Sequence, residues 1–358
     1  MKKALKIILI LILVIILIAA VYVAYVFIDY HRIGSGPIVV SGKTDASAQA
    51  GEPYHLVSWN IGFGAYTQDY DFFMDGGTQS WAESEQVLDA NLGEICTFLG
   101  AQDADFYLVQ EVDIDSTRSY HRDERVPIVS TLGGGYVHTF AQNYDSPFLF
   151  YPFTEPHGAS RSGLLTFSRF DIANALRMEL PIETSVMKLV DLDRCYSVNR
   201  IPVAEGKELV LYNLHLSAYT SDGQIANEQL RMLVDDMKTE YAAGNWCIAG
   251  GDFNKDLPGN SGELFGVPTR EGDTWAQPLP AGIIPEGLSL VVPLHTDDPH
   301  ASCRTASEPY NIKTTFRITV DGFLVSDNVT VLDSNVIEMD YANSDHNPVY
   351  LDFILNKE

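Results

Sequence analysis

Positive charge is scarce in this sequence, with 23 Lys and Arg against 48 Asp and Glu in 358 residues. Lys2, Lys3, Lys6 and Arg32 fall in the first 32 residues beside a single acid, Asp29, so 19 basic and 47 acidic residues remain beyond them. Such a body lacks the basic footprint of a tight duplex binder and repels polyanions. Catalysis on a phosphodiester stays open, because a divalent cation inverts the local charge of an acidic cleft. Cysteine is scarce as well: Cys96, Cys195, Cys247 and Cys303 lie far apart, with no C-x-x-C pair and no zinc-like spacing. Cys96 and Cys247 sit in apolar runs and are expected as small core residues, while Cys195 and Cys303 are a candidate disulfide. Repeats and low-complexity blocks are absent.

One long apolar run is present, from Ile7 to Ile28, and no charged residue interrupts it. As a helix it is long enough to cross a bilayer core of about 30 Å. Lys2, Lys3 and Lys6 precede it, so the positive-inside rule keeps residues 1–6 in the cytoplasm and exports the chain beyond Asp29. A cleaved signal peptide competes with this reading, but its apolar region usually runs about 7–15 residues. The expectation is a single-pass anchor in the cell membrane over 7–28 and an outward-facing body over 53–358. Between them, residues 29–52 are rich in Gly, Ser, Ala, Thr and Pro with little periodicity, and read as a linker.

Within the body, several short apolar runs end on a polar side chain. Residues 55–60 end on Asn60, and residues 106–110 are followed by Glu111. Residues 208–215 finish on Asn213 and His215. Residues 246–249 lead through Gly250 and Gly251, expected to turn the chain, to Asp252 and Asn254. The run 318–326 carries Asp321, and the strand expected over 349–355 is preceded by Ser344-Asp345-His346-Asn347-Pro348. Taken singly, each is equally a turn or a solvated loop start. Ser80 to Glu83 reads as a capping box for a helix carrying Leu88, Leu92, Ile95 and Leu99, and residues 227–241 read as a second, covering helix. Arg118, Arg122 and Arg125 are candidates for phosphate contact or plain solvation. The aromatic run from Phe148 to Phe153 is expected to pack in the interior rather than face lipid or a base. Residues 258–309, rich in Pro and Gly, read as a long loop.

Asn60, Glu111, His215, Asp252, Asn254, Asp321, Asp345 and His346 make an inventory of hard oxygen ligands with two histidines. It suits Mg²⁺, Mn²⁺ or Ca²⁺ and acid–base work on a phosphate ester. In order and separation, Trp59-Asn60, Gln110-Glu111-Val112, Asn213-Leu214-His215, Gly251-Asp252-Phe253-Asn254, Asp321-Gly322-Phe323 and Ser344-Asp345-His346 resemble the endonuclease/exonuclease/phosphatase superfamily. The resemblance covers nearly the whole exported body. It implies an α/β fold, a four-layer α/β/β/α sandwich of two packed sheets flanked by helices. It also implies that Glu111, with Asn60 and Asp345, holds the metal, and that Asp252 positions or deprotonates water while Asn254 holds the phosphate. His346 then contacts the phosphate with Asp321 orienting it, and His215 protonates the leaving oxygen. No Pro-Ala-Trp-Cys-Asp-Arg-like segment occurs, which argues against an inositol phosphatase. The expected substrate is a phosphodiester in nucleic acid or a phospholipid head group, with no obligate protein partner evident. The alternatives are a phosphomonoesterase and a non-catalytic module, and the second is disfavoured because all eight positions are occupied.

Overall fold

The computed structural model describes residues 2–182, 193–203, 206–218, 224–267 and 275–357. Two seven-stranded sheets lie face to face. The first runs in the order Val329–Val336, Val349–Leu355, Pro53–Asn60, Phe106–Asp113, Arg161–Ser168, Val137–Asp145, Val40–Ser41. The second runs Gly36–Pro37, Asn174–Glu179, Cys195–Pro202, Glu208–His215, Trp246–Asp252, Asp321–Ser326, Leu288–Val291. Helices Glu85–Gln102 and Arg125–Leu132 cover the first sheet, and Gln224–Ala242 covers the second. The expected four-layer α/β/β/α sandwich is therefore present.

Alternation explains which face each strand buries. In the central strands of the first sheet, Val57, Trp59, Tyr107 and Val109 pack under the helices, while Leu56, Phe106 and Leu108 face the second sheet. The second sheet mirrors this, with Leu209, Leu211 and Ile248 inward and Val210, Tyr212, Leu214, Cys247 and Ala249 against Gln224–Ala242. The shared layer between the sheets is thus built from every second residue of each central strand.

Several expectations change in detail. The first covering helix is capped by Ser84, whose hydroxyl accepts from the Val87 amide, and not by the box at Ser80. Ser80 is buried and donates to the carbonyl of Glu155 instead. Gly250 and Gly251 do not turn the chain but lie within Trp246–Asp252. Gly251 is needed there because it holds φ at +140°, and a Cβ would sit 2.1 Å from the Leu214 carbonyl oxygen of the parallel neighbour. The run expected over 318–326 starts later, as Asp321–Ser326, apart from the two residues Arg317–Ile318, while the last strand has the expected bounds, Val349–Leu355. The Pro- and Gly-rich region carries the short helix Ser261–Leu264 and the edge strand Leu288–Val291. All four cysteines are free and buried, so Cys195 and Cys303 are not paired.

The N-terminal helix Lys2–Asp29 contains an 18-residue window of mean hydropathy 3.5 and is long and apolar enough to cross a membrane, a property it shares with signal sequences. The segment read as a linker is laid against the body. Gly36–Pro37 pairs with Asn174–Glu179 of one sheet, and Val40–Ser41 pairs with Val137–Asp145 of the other.

Candidate active site

The alternation that fills the interior also builds the site. Continued to the strand ends, the inward series reads Leu56, Ser58, Asn60 in one strand and Trp246, Ile248, Gly250, Asp252 in another, with Leu211, Asn213, His215 and Val325, Phe323, Asp321 beside it. Pairing is in register, Asn60 opposite Gln110, Asp252 opposite His215 in the parallel pair, and Asp252 opposite Asp321 in the antiparallel one. The apolar interlayer therefore ends in a polar cluster without any special loop.

Glu111 breaks the pattern. Strict alternation would send its side chain with Val109 toward the covering helices. At this point, however, the ladder to Arg161–Ser168 shifts register between Val109 and Val112, and Glu111 adopts a left-handed φ of +55°. Such a bulge re-aims one side chain. Its carboxylate Oε1 accepts from the Asn60 amide at 3.1 Å. Asp345 arrives from the loop before Val349–Leu355, where the Ser344 hydroxyl donates to the Asn60 carbonyl at 2.7 Å. Desolvation, opposed by His346 and reinforced by the neighbouring Glu111, pushes the Asp345 carboxyl up to about 6. The Glu111 and Asp345 carboxylates, close enough to act on one another electrostatically, are hard donors of the kind suited to Mg²⁺, Mn²⁺ or Ca²⁺, while Asn60 turns its Nδ2 to Glu111 and its Oδ1 to the Gly62 amide at 3.0 Å. The two carboxylates fit a divalent cation.

Asp252 is the hub of the other half. Its Oδ2 accepts from the Asn60 amide at 3.1 Å and lies 3.3 Å from His215 Nε2 and 3.9 Å from His346 Nε2, while its Oδ1 accepts from the Asn254 amide at 2.8 Å. Burial, with Asp321 alongside and His346 opposing, lifts its carboxyl to about 7. His346 donates from Nδ1 to Asp321 at 2.8 Å, and Ser302 donates to the same carboxylate oxygen at 2.7 Å. Burial disfavours charge on His346, yet Asp321, Cys303 and Asp345 raise it well above the ordinary histidine value. His215 goes the other way, lowered by burial and then by Arg194 and His346. Asp252, Asp321 and His346 present polar atoms within 4.8 Å of one another. A protonated His346 is no metal ligand, so that triplet reads as a charge network.

All eight residues expected from the sequence are thus brought to one end of the sandwich. Asn254 is tied on both sides, its Nδ2 to the Leu216 carbonyl at 2.9 Å and its Oδ1 to the Trp275 indole at 2.7 Å. Arg122 and Arg125 are engaged elsewhere, with Glu85 and Asp89 and with Asp123, whereas Arg118 is buried against Asp113 within electrostatic reach of Glu111 and His215. Sequence reasoning missed Arg194, buried and within electrostatic reach of both His215 and Asp252. It directly precedes Cys195–Pro202, a strand whose polar residues conceal it. Also missed was the link beneath the cluster, where Gln110 Nε2 donates to Asn213 Oδ1 at 2.8 Å across the two sheets. A groove of about 840 Å³ lies elsewhere, between the 33–41 segment and Arg125–Leu132, and no residue of the cluster lines it.

Comparisons with known proteins agree with this geometry. Residues 57–346 match the Endonuclease/Exonuclease/phosphatase family. Among solved structures, an endonuclease/exonuclease/phosphatase from Beutenbergia cavernae DSM 12333 aligns at 18% identity and TM-score 0.55, over 85% of this chain and 72% of its own. ANGEL2, a 2',3'-cyclic phosphatase in complex with adenosine-2',3'-vanadate, aligns at 17% and TM-score 0.57, over 85% and 96%. The human Nocturnin catalytic domain with bound sulfate anion aligns at 18% and TM-score 0.50, over 88% and 97%. A search of curated proteins gives no match. With the match spanning every one of the site strands from the first to His346, this chain belongs to the Endonuclease/Exonuclease/phosphatase family, whose enzymes are phosphoester hydrolases.

Proposed function

We propose that the chain is a metal-dependent phosphodiesterase, held by its N-terminal helix at the outer face of a membrane, with nucleic acid or a phospholipid head group as substrate. The observation that carries this is the pair of buried histidines, His346 on Asp321 and His215 beside Asp252, next to Asn60 and the Glu111 and Asp345 carboxylates. Asn60, Glu111 and Asp345 would hold a divalent cation, Mg²⁺ in the first instance, which would supply positive charge to the phosphoryl oxygens.

The chain's own groups supply the rest. His346, charged and oriented by Asp321, binds a phosphoryl oxygen and meets the negative charge that grows there. Arg194 adds positive potential from behind His215, and the Asn254 amide borders the phosphate. Asp252, with a carboxyl poised near 7, takes a proton from the attacking water. His215, kept neutral by burial, presents Nε2–H as a hydrogen-bond donor to the leaving oxygen and passes its proton only as that oxygen becomes basic, taking in its place the proton that Asp252, 3.3 Å away, has drawn from water. The expected role of His215 as an acid is thereby narrowed to a late proton transfer.

The test is turnover of plasmid DNA, RNA, sphingomyelin and an inositol phosphate by the full chain in detergent, with Mg²⁺, Mn²⁺ or EDTA and with Asp252→Asn as control. Metal-dependent cleavage of a diester, lost in the control, is the expected result. Cleavage of the inositol phosphate alone would favour a monoesterase. Folded protein that binds metal calorimetrically and turns over none of the four would point to the non-catalytic module.

A further inference from the structure

The aromatic run expected in the interior lies outside. Phe150, Tyr151 and Phe153 are 51%, 63% and 84% exposed, in a hairpin closed by paired main-chain hydrogen bonds between Leu149 and Gly158. Met74, 54% exposed, projects from the adjacent turn, whose Phe73 ring rests on Tyr151 with centroids 5.9 Å apart. Among the described residues beyond the N-terminal helix, only four other large apolar side chains are this exposed, and those are scattered through the chain as Val39, Val126, Ile312 and Leu332. A contiguous aromatic patch on an otherwise acidic body has to be matched to an apolar neighbour.

The neighbour is indicated by what the hairpin touches. The Tyr22 hydroxyl donates to the Phe148 carbonyl at 3.0 Å, the Phe148 amide donates to the Tyr25 hydroxyl at 3.0 Å, and the Tyr22 ring meets Phe150 edge-on at 5.0 Å. Tyr22 and Tyr25 lie inside the apolar run, six and three residues before its end at Ile28. At 1.5 Å per residue the hairpin is fastened about 4–9 Å below that end, a depth at which Tyr and Phe rings collect in bilayers. We propose that this hairpin, with Met74, inserts into the outer leaflet of the same bilayer that the helix crosses and seats the catalytic body on the lipid surface. The proposal rests on the reading of the helix as a membrane anchor.

Charge selects the kind of surface. The body beyond residue 32 carries 19 basic against 47 acidic residues, so the fit is to a zwitterionic leaflet rather than an anionic one. An aromatic chain, buried at Phe72 and Tyr66, joins the hairpin to the site: Phe73 packs on Phe72 and Phe72 on Tyr66, whose ring borders Gly62 beside Asp345.

The test uses the full chain in phosphatidylcholine vesicles, with Phe153→Trp as the probe and Leu17→Trp in mid-helix as reference, each read as added emission over the wild type. Acyl-chain bromination should quench both added tryptophans at least twofold. If Leu17→Trp is quenched and Phe153→Trp is not, but acrylamide reaches it from water, the hairpin is solvated and the proposal fails. Protection of Phe153→Trp from both quenchers would mean a protein surface covers it, and the proposal also fails. An unquenched Leu17→Trp would remove the anchor reading itself, and the docking with it.

Discussion

The two histidines of the cleft sit in equally dry places, yet their surroundings favour the neutral ring at His215 and the charged ring at His346. His215 ends a strand, fixed by alternation, and its partner Asp252 lies 3.3 Å away with three other donors competing for it. His346 comes from a loop and has at 2.8 Å a carboxylate, Asp321, which Ser302 holds in place. Burial pushes both toward neutrality. The difference is that Asp252 is itself shifted toward its neutral form, whereas Asp321 directs one oxygen at both the Ser302 hydroxyl and the His346 ring. In a desolvated site the charge of a histidine is therefore decided by the partner's own hydrogen bonds.

The strongest way to break this contrast is His346→Ala, which should lower kcat by about 10³-fold with the fold intact by circular dichroism, against about 10²-fold for His215→Ala. Equal losses would mean that the two imidazoles do not differ in role. Glu111→Gln tests the oxygen cluster separately. It should weaken Mg²⁺ binding by about 10–100-fold in calorimetry, and unchanged affinity would place the cation elsewhere.

Asp321→Asn sharpens the comparison further by removing the charge that sustains the imidazolium. The His346 titration, followed by NMR of the ring protons, should move down, and the alkaline limb of the rate profile should move down with it, costing about tenfold at pH 8. A limb that stays in place would assign it to another group.

The smallest effect concerns stability. The Asp252 carboxyl binds its proton more tightly in the fold, at about 7, than in the unfolded chain, at about 3.9. Its ionisation therefore costs stability as pH rises through that window. Metal-free Asp252→Asn should melt about 3 °C higher than wild type at pH 8, with the gain shrinking toward pH 5. A mutant less stable at pH 8 would contradict the assigned shift.

Much of this site was legible because it follows a period of two. Asn60, His215 and Asp252 stand at the ends of readable apolar runs, and the same alternation that buries Leu56, Leu211 and Ile248 points them into the cleft. Glu111 was legible as a residue but not as a conformation, since nothing in Gln110-Glu111-Val112 announces a bulge. Strands rich in polar residues, Val137–Asp145, Asn174–Glu179, Cys195–Pro202 and Val329–Val336, went unread, and with them Arg194. Thr139 and Asn199 show why, because their side chains bond each other across the interlayer at 2.6 Å and so look like surface residues in the sequence. The charges of His215 and His346 depend on neighbours 37 and 25 residues away in the chain, which no local pattern encodes.

The Gln110 to Asn213 hydrogen bond, set directly beneath the cluster, bears on how accurately the molecule is assembled. One sheet carries the oxygens suited to a cation and the other carries the carboxylate suited to water, so the working distance between them is a distance between two stacked plates. Apolar contacts resist separation of such plates but set their sideways alignment only loosely. A directional bond spanning the gap acts as a dowel, converting a greasy sliding contact into a fixed alignment, and it does so one residue before Glu111 and two before His215.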